Sequence, residues 1–128
     1  MANFKISSFP IQPRTELHDT LNLTGSEVSI NRLPAGVAVP FVHAHTHNEE
    51  LYIVIEGRGQ LFIDGEVHDI KARDAFRIDP DGARAIRASD KEGITYICIQ
   101  TKAGSLEGFT ASDGRILEEK APWHQQEA

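Results

Sequence analysis

The chain has 128 residues, a formal net charge of -6 and a pI near 5.4, with 40% hydrophobic and 25% charged residues. Those proportions are globular, and a chain of this length can bury roughly 65–70% of its unfolded surface around one core. The acidic balance and the lack of any Lys/Arg cluster argue against a nucleic-acid partner, and a single cysteine, Cys98, excludes an intramolecular disulfide framework.

In chain order, the opening "MANFKISSFPIQPR" lacks the apolar core of a signal peptide, and no later stretch is long and uncharged enough to span a bilayer. The expectation is a cytoplasmic protein with no membrane partner. In "TELHDTLNL", Thr15 is placed to cap a short helix with Leu17 and Leu21 on one face and Gly25 beyond its end. Short runs rich in β-branched and aromatic residues follow: "SEVSINRL", "LYIVIE", "QLFID", "EVHDI", "DAFRI", "ARAIRA" and "ITYICIQ". Runs this short and evenly spaced predict an all-β sandwich or barrel. Asp64-Gly65 is a two-residue hairpin signal because both residues tolerate positive φ, and Gly57 and Gly59 read as a similar break. Cys98, flanked by aliphatic residues, reads as a small core side chain. The expected organisation is one domain over 1–128, with a barrel core at about 26–101 and a tail at about 118–128 that docks through Trp123 or stays loose.

The stretch "PFVHAHTHNEELYIVIEGRG", residues 40–59, holds His43, His45 and His47 in alternate positions, followed by Glu49 and Glu50. In a strand, residues i and i+2 project from one face with Cα atoms roughly 6.5–7 Å apart, so two imidazoles can converge on one ion. A carboxylate then completes a three-ligand facial set with open positions. The residues alone leave open whether the pair is His43 with His45 or His45 with His47, and whether the carboxylate is Glu49 or Glu50. Leu51, Ile53 and Ile55 alternate with Tyr52 and Val54, so this strand is apolar on both faces and asks to be covered on both.

This stretch resembles the first motif of the cupin superfamily: Gly, five residues, His-x-His, three or four residues, Glu, six residues, Gly. Glu50, with six residues between it and Gly57, fits the glutamate, and counting back through "THNE" selects His45 and its partner His43. Gly36 lies one residue too far upstream, a small departure. The resemblance covers roughly Leu33 to Gln100. It implies a small antiparallel double-stranded β-helix, or jelly-roll, barrel with one short N-terminal helix. It further implies one divalent metal ion (zinc, iron, manganese or nickel) on His43, His45 and Glu50.

A later cupin motif runs Pro-x-Gly, two residues, His, three residues, Asn. Here Pro80, Asp81 and Gly82 match, but the fourth-ligand position holds Ala85 and the asparagine position Ser89. His47, Gln60 and Gln100 are candidate substitutes or neighbours of the ion by residue chemistry. Strand alternation counted from Ala85 turns Arg87 inward as an anion-binding group and turns Arg84 and Ile86 away. Tyr52 shares parity with Glu50 and is expected to face inward, either as a hydrogen-bond donor to a ligand or as barrel packing with its hydroxyl satisfied. The resemblance implies a metal-binding protein that acts on or binds a small polar or anionic organic molecule. Oxygenation and isomerisation are the catalytic forms, and a non-catalytic ligand-binding or sensor protein is the alternative. The expected assembly is a homodimer.

Overall fold

The strand β3, Asn48–Ile63, belongs to both sheets of the molecule and holds them together. The computed structural model describes residues 3–124, so the last four residues of the expected tail lie outside the described residues. The first half of β3 pairs with β5 (Ala75–Ile78) and β7 (Ile94–Lys102). Its second half pairs with β4 (Glu66–Lys71) and β6 (Arg84–Ala88). Beyond β7 the first sheet continues through β2 (Glu27–Leu33) to β1 (Arg14–Glu16). Every pairing is antiparallel, as the all-β expectation requires.

Two expectations for local structure are corrected. Gly57 and Gly59 do not break the chain between two strands; they bend one. The ladder between β3 and β7 shifts register between Val54 and Glu56, a bulge that turns the strand from one sheet into the other. A Cβ on Gly57 would lie 1.9 Å from the Gly93 carbonyl oxygen, and one on Gly59 would lie 2.1 Å from that of Arg87. Glycine is therefore required here for close backbone approach rather than for a turn. Asp64 and Gly65, with φ of 48° and 88°, do form the tight β3–β4 turn. Thr15 caps no helix: it lies in β1 opposite Ile30, and the helix α1 is one turn, His18–Leu21, which follows Leu17 without a side-chain cap and ends on left-handed Asn22. Pairing of Arg14–Glu16 with β2 takes up the backbone groups that a longer helix would have used.

Strand alternation sorts the side chains. Tyr52 and Val54 of β3, Tyr96 and Cys98 of β7, and Ile86 and Ala88 of β6 face the barrel interior, each 7% exposed or less. On the outer side of the first sheet, Leu51 stands opposite Ile99 and Ile53 opposite Ile97, and β2 adds Val28 beside Ile99 and Ile30 beside Ile97. Among the described residues, no helix is long and apolar enough to cross a membrane.

Candidate metal centre

A cavity of about 480 Å³ opens into the barrel interior, and Glu50 stands in its wall. Glu50 sits at the start of β3, opposite Ile78 of β5 on one side and Gln100 of β7 on the other, and is 3% exposed. His43 and His45 reach it from an extended segment ahead of β3. The backbone N–H of His43 donates to the Arg84 carbonyl at 3.0 Å and its own carbonyl accepts from Arg84 at 2.9 Å, while His45 N–H donates to Pro80 at 2.8 Å. These bonds fasten the segment to β6 and to the loop before it, and its period-two alternation aims both imidazoles at Glu50. One donor atom from each of His43, His45 and Glu50 can be chosen so that all lie within 4.8 Å of one another.

The donor set fits a divalent cation. His45 Nε2 lies 3.0 Å from Glu50 Oε2. That is the spacing expected of two ligands at a right angle, each about 2.1 Å from a common ion. His43 Nδ1 is buried without a hydrogen-bond partner among the described residues, which is unusual for a nitrogen in a wall otherwise well paired. Burial holds the His43 imidazole below its ordinary pKa of 6.5, with Arg84 and His45 adding to the effect and Glu50 opposing it. A neutral imidazole is the form that binds metal.

The other oxygen of Glu50 is taken. Oε1 accepts from the Tyr52 hydroxyl at 2.7 Å and from Arg84 Nη1 at 2.6 Å. Burial raises the Glu50 carboxyl, but the Tyr52 and Arg84 hydrogen bonds and the Arg84 charge outweigh it, and the group lies below its ordinary 4.5. Burial, with the thiol of Cys98 and the charge of Glu50, raises Tyr52 in turn, so its hydroxyl stays a donor. Tyr52 is also stacked on Phe76 at 5.0 Å between centroids. Cys98 lines the same wall, its thiol pushed up to about 12 chiefly by burial, as suits a core side chain.

The arginines stand opposite to the sequence expectation. Arg84 is 1% exposed and points inward; Arg87 is exposed and hydrogen-bonds Gln60 on the other face of the barrel wall. The parity counted from Pro-x-Gly is off by one residue because the loop from Pro80 to β6 delivers Arg84, not Ala85, to the site. The signal was present in "RAIRA": Ile86, the one large apolar residue of that strand, marks the buried parity and Arg84 shares it. Gln60 pairs with Asp69 and Arg87, away from the histidines. His47 is exposed and absent from the donor cluster. Gln100 does line the cavity, accepting from Asn48 at 3.2 Å. Sequence reasoning missed Arg14 of β1, which lines the cavity, donates to Asn31 at 2.8 Å and pairs with Glu16 at 3.0 Å.

Comparison with known proteins follows the same lines. A family model described as "Cupin domain" matches residues 30–100. The crystal structure of a cupin protein from Bacteroides fragilis is 52% identical with a TM-score of 0.89, covering 91% of this chain and 99% of that one. A Cupin 2 conserved barrel domain protein from Salinispora arenicola shares the fold at 20% identity, with a TM-score of 0.65 over 80% of this chain and 92% of its own. An uncharacterized protein of Methanocaldococcus jannaschii is 30% identical over 77 residues, which is 60% of this chain and 58% of that protein's length.

Proposed function

The chain belongs to the cupin domain family, and from that premise we propose that it binds one divalent metal ion on His43, His45 and Glu50 and takes up a small polar or anionic organic molecule beside it. The observation that carries this reading is the convergence of two imidazoles and one carboxylate, within 4.8 Å, in the wall of a cavity large enough for a small metabolite. A bound ion would act there as a Lewis acid toward a ligand oxygen or toward water. The protein's own residues do the rest. Tyr52 and Arg84 hold Glu50 by Oε1, which leaves Oε2, beside His45, as the oxygen that would hold a bound ion. Leu33, Leu61 and Ile86 line the cavity with apolar surface, which lowers the local dielectric. Zinc, iron, manganese and nickel all suit a mixed nitrogen and oxygen donor set.

Elemental analysis of the purified, metal-reconstituted protein tests the reading. About one divalent ion per chain is expected in the wild type, with strong loss in His43→Ala and Glu50→Ala. A wild-type protein that holds no stoichiometric metal after reconstitution removes the site assignment. Iron-dependent oxygen uptake with candidate substrates separates an oxygenase from a binding protein on the same scaffold.

The same reading includes a homodimer. The outer row of Val28, Ile30, Leu51, Ile53, Ile97 and Ile99 is contiguous across three strands. The extended arm before β1 adds exposed Phe4, Ile6, Phe9 and Ile11. So much apolar surface favours cover by a second copy. A cytoplasmic location suits the single, buried and free Cys98.

A further inference from the structure

Arg84 is a buried cation one residue before Ala85, the position where a neutral fourth ligand is expected. Four of its five N–H groups are committed: Nη1 donates to Glu50, Nε to the Gly82 carbonyl at 3.0 Å, and Nη2 to the carbonyls of Asp79 at 2.7 Å and Pro80 at 3.1 Å. Only one Nη1 hydrogen is left over and the side chain is 1% exposed, so its influence on anything in the cavity is chiefly through charge. We propose that Arg84 sets the charge of the site so that metal and a small organic carboxylate bind cooperatively, each raising the affinity for the other. This inference rests on the metal reading above and names the ligand class it requires.

The charge count leads there directly. The charged side chains lining the cavity, apart from the histidines, are Arg14, Glu50 and Arg84: two cations and one anion, in a chain whose formal net charge is -6. Arg84 and Glu50 cancel at 2.6 Å. A divalent ion entering next to them is therefore left without a compensating negative charge. With a neutral imidazole in place of Arg84, Glu50 would offset half of that charge; with the guanidinium it offsets none. Uncompensated charge in a wall this buried is costly, and an anion beside the ion relieves the cost. The apolar and aromatic lining, with Phe41, Leu61 and Tyr96, suits a carboxylate carrying an organic body better than a strongly hydrated phosphate. Arg14, half exposed at the side of β1, has its charge offset by Glu16 at 3.0 Å, so it brings no net charge to the site. Reciprocity follows from linkage: if carboxylate tightens metal, metal tightens carboxylate by the same factor.

The test is Zn²⁺ titration of the full chain in acetate and in acetamide, its neutral isostere, at matched concentration, with the Zn²⁺–acetate equilibrium in solution subtracted. Acetate is expected to tighten Zn²⁺ binding by about tenfold, within the usual span of coupling energies. Arg84→Lys should retain the enhancement and Arg84→Met should largely lose it, whereas a purely structural role would lower stability in both and leave the acetate-to-acetamide ratio unchanged. Equal Zn²⁺ affinity in the two solutes, or an undiminished ratio in Arg84→Met, overturns the inference while leaving the metal site intact. A wild type that binds no Zn²⁺ in either solute overturns the metal reading itself. If Arg84→Met does not fold, Arg84→Gln, neutral but still able to hydrogen-bond Glu50, takes its place: it should lose the enhancement, and an undiminished ratio there overturns the inference.

Discussion

Glu50 shows what one buried carboxylate needs in order to stay ionised: a hydroxyl and a guanidinium on Oε1 and an imidazole nitrogen 3.0 Å from Oε2. Its pKa in the folded protein lies below the ordinary 4.5, so its contribution to stability is present above that value and is lost as pH falls through the folded value. His43 acts in the same direction for a different reason. Its folded-state pKa lies below 6.5, so the unfolded chain takes up a proton first and stability falls as pH drops below 6.5. The metal-free protein should therefore show urea midpoints that decline below about pH 6.5 and again below about pH 4.5, the second decline shrinking in Glu50→Gln. Midpoints that hold steady or rise between pH 7 and 4 would contradict this account of the site. At this scale the spacing from Glu50 to Gly57 made the carboxylate and its two histidines legible. Arg84 was not, because arginine is rarely buried and its burial here depends on a carboxylate 34 positions away in sequence.

Glycine carries opposite meanings at three positions of one hairpin. At Gly65 a Cβ would meet nothing within 4 Å, and only the positive φ of 88° opposes substitution. At Gly59 it would collide with the Arg87 carbonyl, and at Gly57 with Gly93 at a φ of 83°. Gly59→Ala should cost about 1–3 kcal/mol as an overpacking substitution. Gly57→Ala should cost more, because left-handed strain of about 1–2 kcal/mol is added. Gly65→Ala should show the strain alone, and urea unfolding of the three variants ranks them. An order with Gly65→Ala worst would refute the close-approach reading of β3. The sequence announced the Asp64-Gly65 turn because turn chemistry is local. It misrepresented Gly57 and Gly59 as a break because the carbonyls that exclude a side chain there come from residues about 30 positions on. Thr15 misled for the same reason: its strand partner, Ile30, is 15 residues away, beyond the helix it was expected to cap.

In the first sheet the inner and outer faces are both apolar; the inner one is buried, while on the outer one Val28, Ile30, Ile53, Ile97 and Ile99 are half-buried and Leu51 is exposed. The outer row of valine, isoleucine and leucine predicts self-association at micromolar concentration, and Ile53→Lys should convert the proposed dimer to a monomer in light scattering while leaving metal content unchanged. A wild type that is monomeric at that concentration would sink the proposed assembly. The two-sided apolar pattern of "LYIVIE" already pointed to a cover on both faces, whereas the position of β7 between β2 and β3 has no local signature at all.

That position has a consequence for synthesis. β2 and β3 are made early, yet in the sheet they meet only through β7, which ends at Lys102. Until that strand has left the ribosome, β2, which pairs with β1, and β3, which pairs with β4, β5 and β6, each keep one edge without a partner. Barrel closure is thus a late, long-range event, of the kind that slows folding. The nascent chain passes through a window in which it is most prone to pair with its neighbours on the same message.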